Sequence, residues 1–165
     1  MYMNHLKPFF ASLILLMAPM LIFSQDKGPP NEHHEVELLI HKMFDGMREG
    51  DSAKVASVFG KEVNMYTSFN NQQGEKVIKK GVLSSFLKAI GTPHDDIWDE
   101  KIWNTKIEID GGIAQVWTDY AFYIGTEFSH CGIDAFHLIK ENEQGWKIVH
   151  LMDTRRKEDC EILNR

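Results

Sequence analysis

The stretch from Ser129 to Ile139, SHCGIDAFHLI, places two histidines, a cysteine and an aspartate among apolar residues. Side chains alternate across a β-strand, so its composition has to be read one face at a time. His130, Gly132, Asp134, Phe136 and Leu138 share one face, while Cys131, Ile133, Ala135, His137 and Ile139 share the other. The polar residues are split between two faces. That excludes a single four-ligand metal cluster and leaves a strand with one polar end on each side.

Working outward, Trp146 to Thr154 alternates in the same way and follows the turn-like residues Asn142 to Gly145. A hairpin centred on that turn pairs Asp134 with Asp153, Phe136 with Leu151, Leu138 with Val149 and Gly132 with Arg155. The apolar pairs mark this face as core, and a one-residue slip would expose them. On the other side lies Ile113 to Ile124, joined through Gly125, Thr126 and Glu127 as a three-residue loop. That register sets Phe122 against His130, Tyr120 against Gly132, Thr118 against Asp134 and Val116 against Phe136. Trp103 to Ile109 adds a further strand through the turn Asp110 to Gly112. Connections this short make antiparallel hairpins.

Upstream the period changes. Val36, Leu39, Ile40, Met43, Phe44 and Met47 recur at three- and four-residue steps, which predicts a helix from His33 ending near Gly50. Asp51 is a cap for a short second helix through Val55, Ala56 and Phe59. Val63 to Phe69 and Lys76 to Lys80 have strand composition, and Val82 to Ile90 forms a third helix. Helices first and an antiparallel meander last define an α+β domain with helices on one face of a curved sheet.

The ends of the chain are different. Lys7 precedes an apolar run from Pro8 to Phe23, with small and polar residues from Ser24 onward, which reads as a secretory signal peptide over residues 1–24. Two prolines and its length leave that run short of the roughly 20 residues a spanning helix needs. The expected organisation is a flexible leader over residues 25–32, a domain over 33–156 and a C-terminal tail over 157–165. Export to the periplasm or outside the cell follows, with no membrane association after cleavage. Losing Lys7 takes the formal charge from −6 to −7. An acidic domain without an evident basic patch is a poor partner for nucleic acid. Cys131 and Cys160 permit one bridge, but nothing in the sequence sets their separation, and Cys131 is read as a buried thiol.

Three segments carry a family resemblance: DGMREGDSAKVASVF over residues 45–59, VWTDYAFY over 116–123 and GWKIVHLMDTRR over 145–156. With the helix-then-meander order, they make residues 33–156 resemble the NTF2-like superfamily. This group includes SnoaL-like polyketide cyclases, ketosteroid isomerases and limonene epoxide hydrolases. The resemblance implies a cone in which N-terminal helices pack on the concave face of a curved sheet and enclose an apolar pocket, with dimers formed through the sheet. It specifies fold far better than chemistry.

The pocket residues expected from strand parity are Thr118, Tyr120, Phe122, His130, Asp134, Asp153 and Arg155, with Tyr66, Phe69 and Trp103 completing the wall. Facing carboxylates cannot both ionise cheaply, and Asp134 and Asp153 with Arg155 between them would make an acid and base pair. The epoxide hydrolase branch uses an Asp-Arg-Asp arrangement of similar composition but different chain order. Tyr120 is a candidate oxyanion donor. Three functions stay open: a small-molecule binder, a cofactor-independent hydrolase, isomerase or cyclase, and a dimerisation or interaction module. No cofactor or metal is expected. His137 opposite His150, and the stripe His33, Glu37 and His41, offer too few ligands for a closed zinc site. Asp95, Asp96, Asp99 and Glu100 lack calcium-loop spacing, and Trp98 among them is placed as a lid at the pocket mouth. The outer face, with Trp117 and Tyr123, is apolar enough to meet a second copy.

Overall fold

The computed structural model describes residues 31–161; the expected signal segment lies outside them. Helix α1 (Glu32–Glu49) starts at Asn31, whose side chain accepts the His34 amide, and ends at Gly50 with φ 68°. Asp51 caps α2 (Ser52–Ala56) by accepting the Lys54 amide at 2.8 Å. This helix is shorter than its sequence pattern, because Phe59 opens β1 (Phe59–Asn70) instead of closing the helix. After β2 (Lys76–Gly81) and α3 (Leu83–Gly91) come β3 (Trp98–Asp110), β4 (Ile113–Ile124), β5 (Glu127–Glu141) and β6 (Gly145–Arg155).

The six strands form one sheet in the order β2-β1-β6-β5-β4-β3. Strand β1 lies between β2 and β6, antiparallel to the first and parallel to the second. The α+β layout with helices on the concave face of a curved, unclosed sheet is the architecture anticipated from the sequence. The core sits between that face and α1, where Phe44 meets Phe136 edge-on at a centroid distance of 6.2 Å. Val36, Ile40 and Met43 from the helix and Val116, Leu138 and Ile148 from the sheet complete it, each at most 2% exposed.

The registers around β5 pair Tyr120 with Gly132, Thr118 with Asp134 and Asp134 with Asp153 as expected. Two details differ. The β4–β5 turn is Gly125 and Thr126 alone, with Ile124 opposite Glu127, and a bulge between Phe128 and His130 restores the alignment. Such an extra residue shifts all later side chains by one position. In β6 a second irregularity pairs Leu138 with the buried Ile148 and not with Val149.

A third irregularity has larger consequences. Strand β3 begins five residues before its expected start, and its register against β4 shifts between Trp103 and Lys106. Asn104 takes φ 51° there, a conformation asparagine tolerates better than most residues. The shift reverses the alternation: Ile107 faces Val116 on the inside, yet upstream it is Glu100 and Ile102 that face Phe122 and Tyr120. Trp103, expected inside, is paired with Asp119 on the outer side.

Cys131 and Cys160 are bonded, which corrects the reading of Cys131 as a thiol. Cys131 is 2% exposed and exchanges backbone hydrogen bonds with Arg156 at 2.9 Å in both directions. The crosslink spans 29 residues, a separation at which loop closure contributes roughly 3–4 kcal/mol.

At Gly132 the backbone approach is tight. Tyr120 reaches across it to donate its hydroxyl to the Thr154 carbonyl at 2.9 Å. A Cβ on Gly132 would lie 2.7 Å from the Tyr120 ring and closer still to the Thr154 oxygen. Gly132→Ala is expected to lower unfolding stability by about 3 kcal/mol or more, measured by urea denaturation. Unchanged stability would show that β5 and β6 can separate here without loss.

Candidate functional site

A cavity of about 560 Å³ opens between the sheet and the helices. Met43 and Met47 of α1, Met65 of β1, Phe86 and Ala89 of α3 and Leu151 of β6 form its apolar wall. Its deeper polar residues are Thr67, Glu100, Tyr120, His130, Asp134, Asp153 and Arg155, and Lys79 and Lys80 of β2 and Ser85 of α3 also line it. Strand alternation explains this grouping. Thr67 pairs with Asp153 on the inner side of β1, and Glu100 reaches the inner side only because of the bulge in β3.

The acids do not pair as the sequence pattern anticipated. Arg155 Nε donates to Asp153 Oδ2 at 2.7 Å, and Thr67 Oγ1 donates to Asp153 Oδ1 at 2.6 Å. Both oxygens of Asp153 are therefore occupied. Asp134, 3% exposed, contacts Glu100 instead, and among the described residues its Oδ2 receives no N–H or hydroxyl donor. Ionised carboxylates only accept hydrogen bonds, so contact between the two requires a proton between them.

The surroundings favour that proton. Burial, aided by the charge on Asp153, raises Glu100 from its ordinary 4.5 to about 7, against a smaller lowering by its bond to Asp134. Burial, followed by the charge and hydrogen bond of Glu100, holds Asp134 well above its ordinary range. Near neutral pH the pair presents one O–H donor beside one acceptor, the equipment of general acid–base chemistry and of polar ligand recognition.

The remaining predicted residues divide. His130 lies at the cavity mouth, its Nδ1 3.0 Å from Ser129 Oγ and its ring against Phe122 and Tyr120. Burial, then the positive charge of Arg155, lowers it to about 4, so the imidazole is neutral. Tyr120 is buried with its single hydroxyl proton committed to the Thr154 carbonyl, which removes it as an oxyanion donor in this geometry. Thr118 is fully buried and bonds the Trp103 carbonyl at 3.0 Å and the Thr105 hydroxyl at 2.8 Å, so it supports the β3 bulge and not the cavity. Phe122 backs His130. Tyr66 lines the edge of the inner cavity while its ring meets His150 edge-on at 6.1 Å, and Phe69 lines a second, outer chamber. Trp98 stacks on His94 at 3.9 Å and packs against Phe122, and Asp99 pairs with Arg48 at 2.7 Å.

Glu100 appears in the sequence only as part of the acidic run from Asp95, Gly132 only as a register partner of Tyr120 and Arg155, and Thr67 carries no signal of its own. For Glu100 the signal was hidden, because an unbroken alternation back from Ile109 puts Lys101 and Trp103 inside. Among the described residues no group of three metal-ligating side chains assembles, and no helix is long and apolar enough to cross a membrane.

This fold has close counterparts among solved structures. An NTF2-like protein with a cystatin-like fold from Novosphingobium aromaticivorans superposes with a TM-score of 0.61 at 11% identity, covering 77% of this chain and 83% of that one. An NTF2-like protein of unknown function from Shewanella baltica gives 0.58 at 17% identity, covering 76% and 94%. A domain with a cystatin-like fold from Nostoc punctiforme gives 0.58 at 17% identity, covering 79% and 80%. No curated protein matches the chain. The fold is thus that of the NTF2-like proteins. Residues 31–152 match the family described as "Putative lumazine-binding", and the chain belongs to that family.

Because the folded protein binds protons that the unfolded chain releases above pH 4.5, stability from Glu100 is full below that pH and is lost as pH rises toward about 7. Glu100→Gln is expected to remove this slope, gaining about 2 kcal/mol relative to the unmodified protein between pH 5 and pH 8. Urea unfolding at the two pH values measures it. Parallel pH profiles would show that Glu100 holds no raised proton.

Proposed function

We propose that this chain binds a small organic molecule in the inner cavity, with the Glu100 and Asp134 pair offering the ligand a donor and an acceptor side by side. The observation that carries this reading is the coexistence, in one cavity of about 560 Å³, of an apolar wall and a proton-sharing acid pair. Pockets for organic ligands combine these two elements. The family's description supports the reading, since lumazine is a flat heterocycle whose edge alternates carbonyl acceptors with N–H donors.

The ligand reading includes export. The Cys131–Cys160 disulfide supports that address, because such bonds persist in oxidising compartments. Thermal-shift screening of nitrogen heterocycles, lumazine included, tests it. A ligand at about a hundredfold excess over its Kd should raise the melting temperature by roughly 5–10 °C. Asp134→Asn should abolish that rise, and a rise that survives the substitution would remove Asp134 from the site.

A second reading is cofactor-independent acid–base catalysis. It is favoured by the value of about 7 for Glu100, which lets the pair take and return a proton near neutrality. The acids are then Glu100 and Asp134, with Asp153 held by Arg155 as a fixed charge beside them.

The outer sheet face is proposed to meet a second copy of the chain. Tyr66, Ile78, Trp117, Ile133, Ala135 and Met152 line a shallow apolar groove there. Trp117 is 55% and Ile78 71% exposed, a contiguous patch of a kind that marks interfaces. Sedimentation equilibrium should give a dimer mass that falls to a monomer in Trp117→Glu. A monomeric unmodified protein at about 100 μM, well above the Kd of a stable dimer, would exclude this interface.

A further inference from the structure

Beside the inner cavity lies a second chamber of about 940 Å³, and the two share Thr67, Lys79, Lys80, Gly81, His130 and Arg155 in their walls. The outer chamber adds Arg156 and Lys157, against the acids Glu158 and Asp159. Its cations stand out in a chain whose formal charge is −6. Among the described residues Lys79, Lys80, Arg156 and Lys157 enter no salt bridge. Arg155 spends only Nε on Asp153, leaving the two terminal nitrogens of its guanidinium for another acceptor.

Among these cations Arg156 is the most tightly placed. Arg156 is fixed by two backbone hydrogen bonds to Cys131, and its Nε donates to the Asp159 carbonyl at 3.3 Å. The disulfide from Cys131 to Cys160 closes the segment that carries Arg156 and Lys157 against β5. The strand β2 brings Lys79, opposite Thr67 on the inner face, from the other side. The result is a basic outer wall, with Lys79, Arg156 and Lys157 against Glu158 and Asp159, continuous with an inner cavity where Arg155 balances Asp153 and Glu100 shares a proton with Asp134.

We propose that the ligand is an organic anion bound in one orientation: its carboxylate, sulfonate or phosphate lies in the outer chamber between β2 and the tethered C-terminal segment, and its uncharged body occupies the inner cavity. This rests on the inner cavity being the binding site, as argued above. Arg155 stands at the junction, where its free nitrogens match the planar fork of an oxyanion. His130, lowered first by burial and then by the charge of Arg155, is raised in part by Asp153 and lowered again by Lys157. The acid pair then meets the neutral end of the ligand, where a carbonyl or ring nitrogen completes the donor and acceptor set.

A matched pair of fluorescent probes tests the orientation: anilinonaphthalenesulfonate, an anion, and N-phenylnaphthylamine, the same ring system without the sulfonate. Titrations use the disulfide-bonded protein. The sulfonate should bind more tightly than the neutral probe and weaken as salt rises from about 20 mM to about 500 mM. The double variant Arg156→Gln, Lys157→Gln, at two positions that line the outer chamber alone, should weaken the sulfonate by about tenfold and leave the neutral probe unchanged. Ser85→Phe, which places a ring into the inner cavity wall, should weaken both. If Ser85→Phe weakens both probes but they bind equally and ignore salt and the double variant, the anion proposal is overturned and the pocket reading stands. If Ser85→Phe affects neither probe, both readings fall. Should the double variant not fold, the probe comparison and salt dependence on the unmodified protein decide.

Discussion

Much of this molecule follows from the edge-to-face contact between Phe44 of α1 and Phe136 of β5. Phe136 is fully buried, and with Leu138 it determines which face of β5 turns toward the helices. Alternation then leaves no choice for Asp134, two residues away, which is carried inside on the same face. A buried acid is costly unless it is protonated or paired, and here it is met by Glu100 and not by a cation. Hydrophobic packing therefore creates the electrostatic situation at the site.

The placement of Glu100 depends on an irregularity in the neighbouring strand. Without the register shift between Trp103 and Lys106, Lys101 would face the cavity and could neutralise Asp134. The bulge replaces a lysine with a glutamate at the critical position, and two acids come to share a proton. Thr118 ties this distortion to the core by bonding the Trp103 carbonyl and the Thr105 hydroxyl. Irregularities of this kind often sit next to functional sites because they redirect a side chain.

Charge is distributed in the same economical way. Arg155 is claimed by Asp153, whose other oxygen is held by Thr67, so this ion pair lies where the inner cavity meets the outer chamber. The crosslink from Cys131 to Cys160 ties down the C-terminal segment whose Arg156 and Lys157 line the outer chamber. Helix α1, the strand meander and the C-terminal segment thus act together on one space, although they are far apart in the chain.

The sequence by itself determined the helices, the antiparallel meander, the pairing of Asp134 with Asp153 and the membership of Tyr120, His130 and Arg155 in one polar group. These depend on short-range periodicity and on hairpins closed by short turns, both of which are written locally. It could not place Glu100 inside, Trp103 outside, or the Cys131–Cys160 bond. Each of those depends on a one-residue register shift or on the meeting of distant segments. A bulge leaves almost no local mark beyond an asparagine at Asn104, yet it inverts every side chain on one side of it. Only the packed sheet, where Glu100 and Ile102 must align with Phe122 and Tyr120, decides which way that inversion falls.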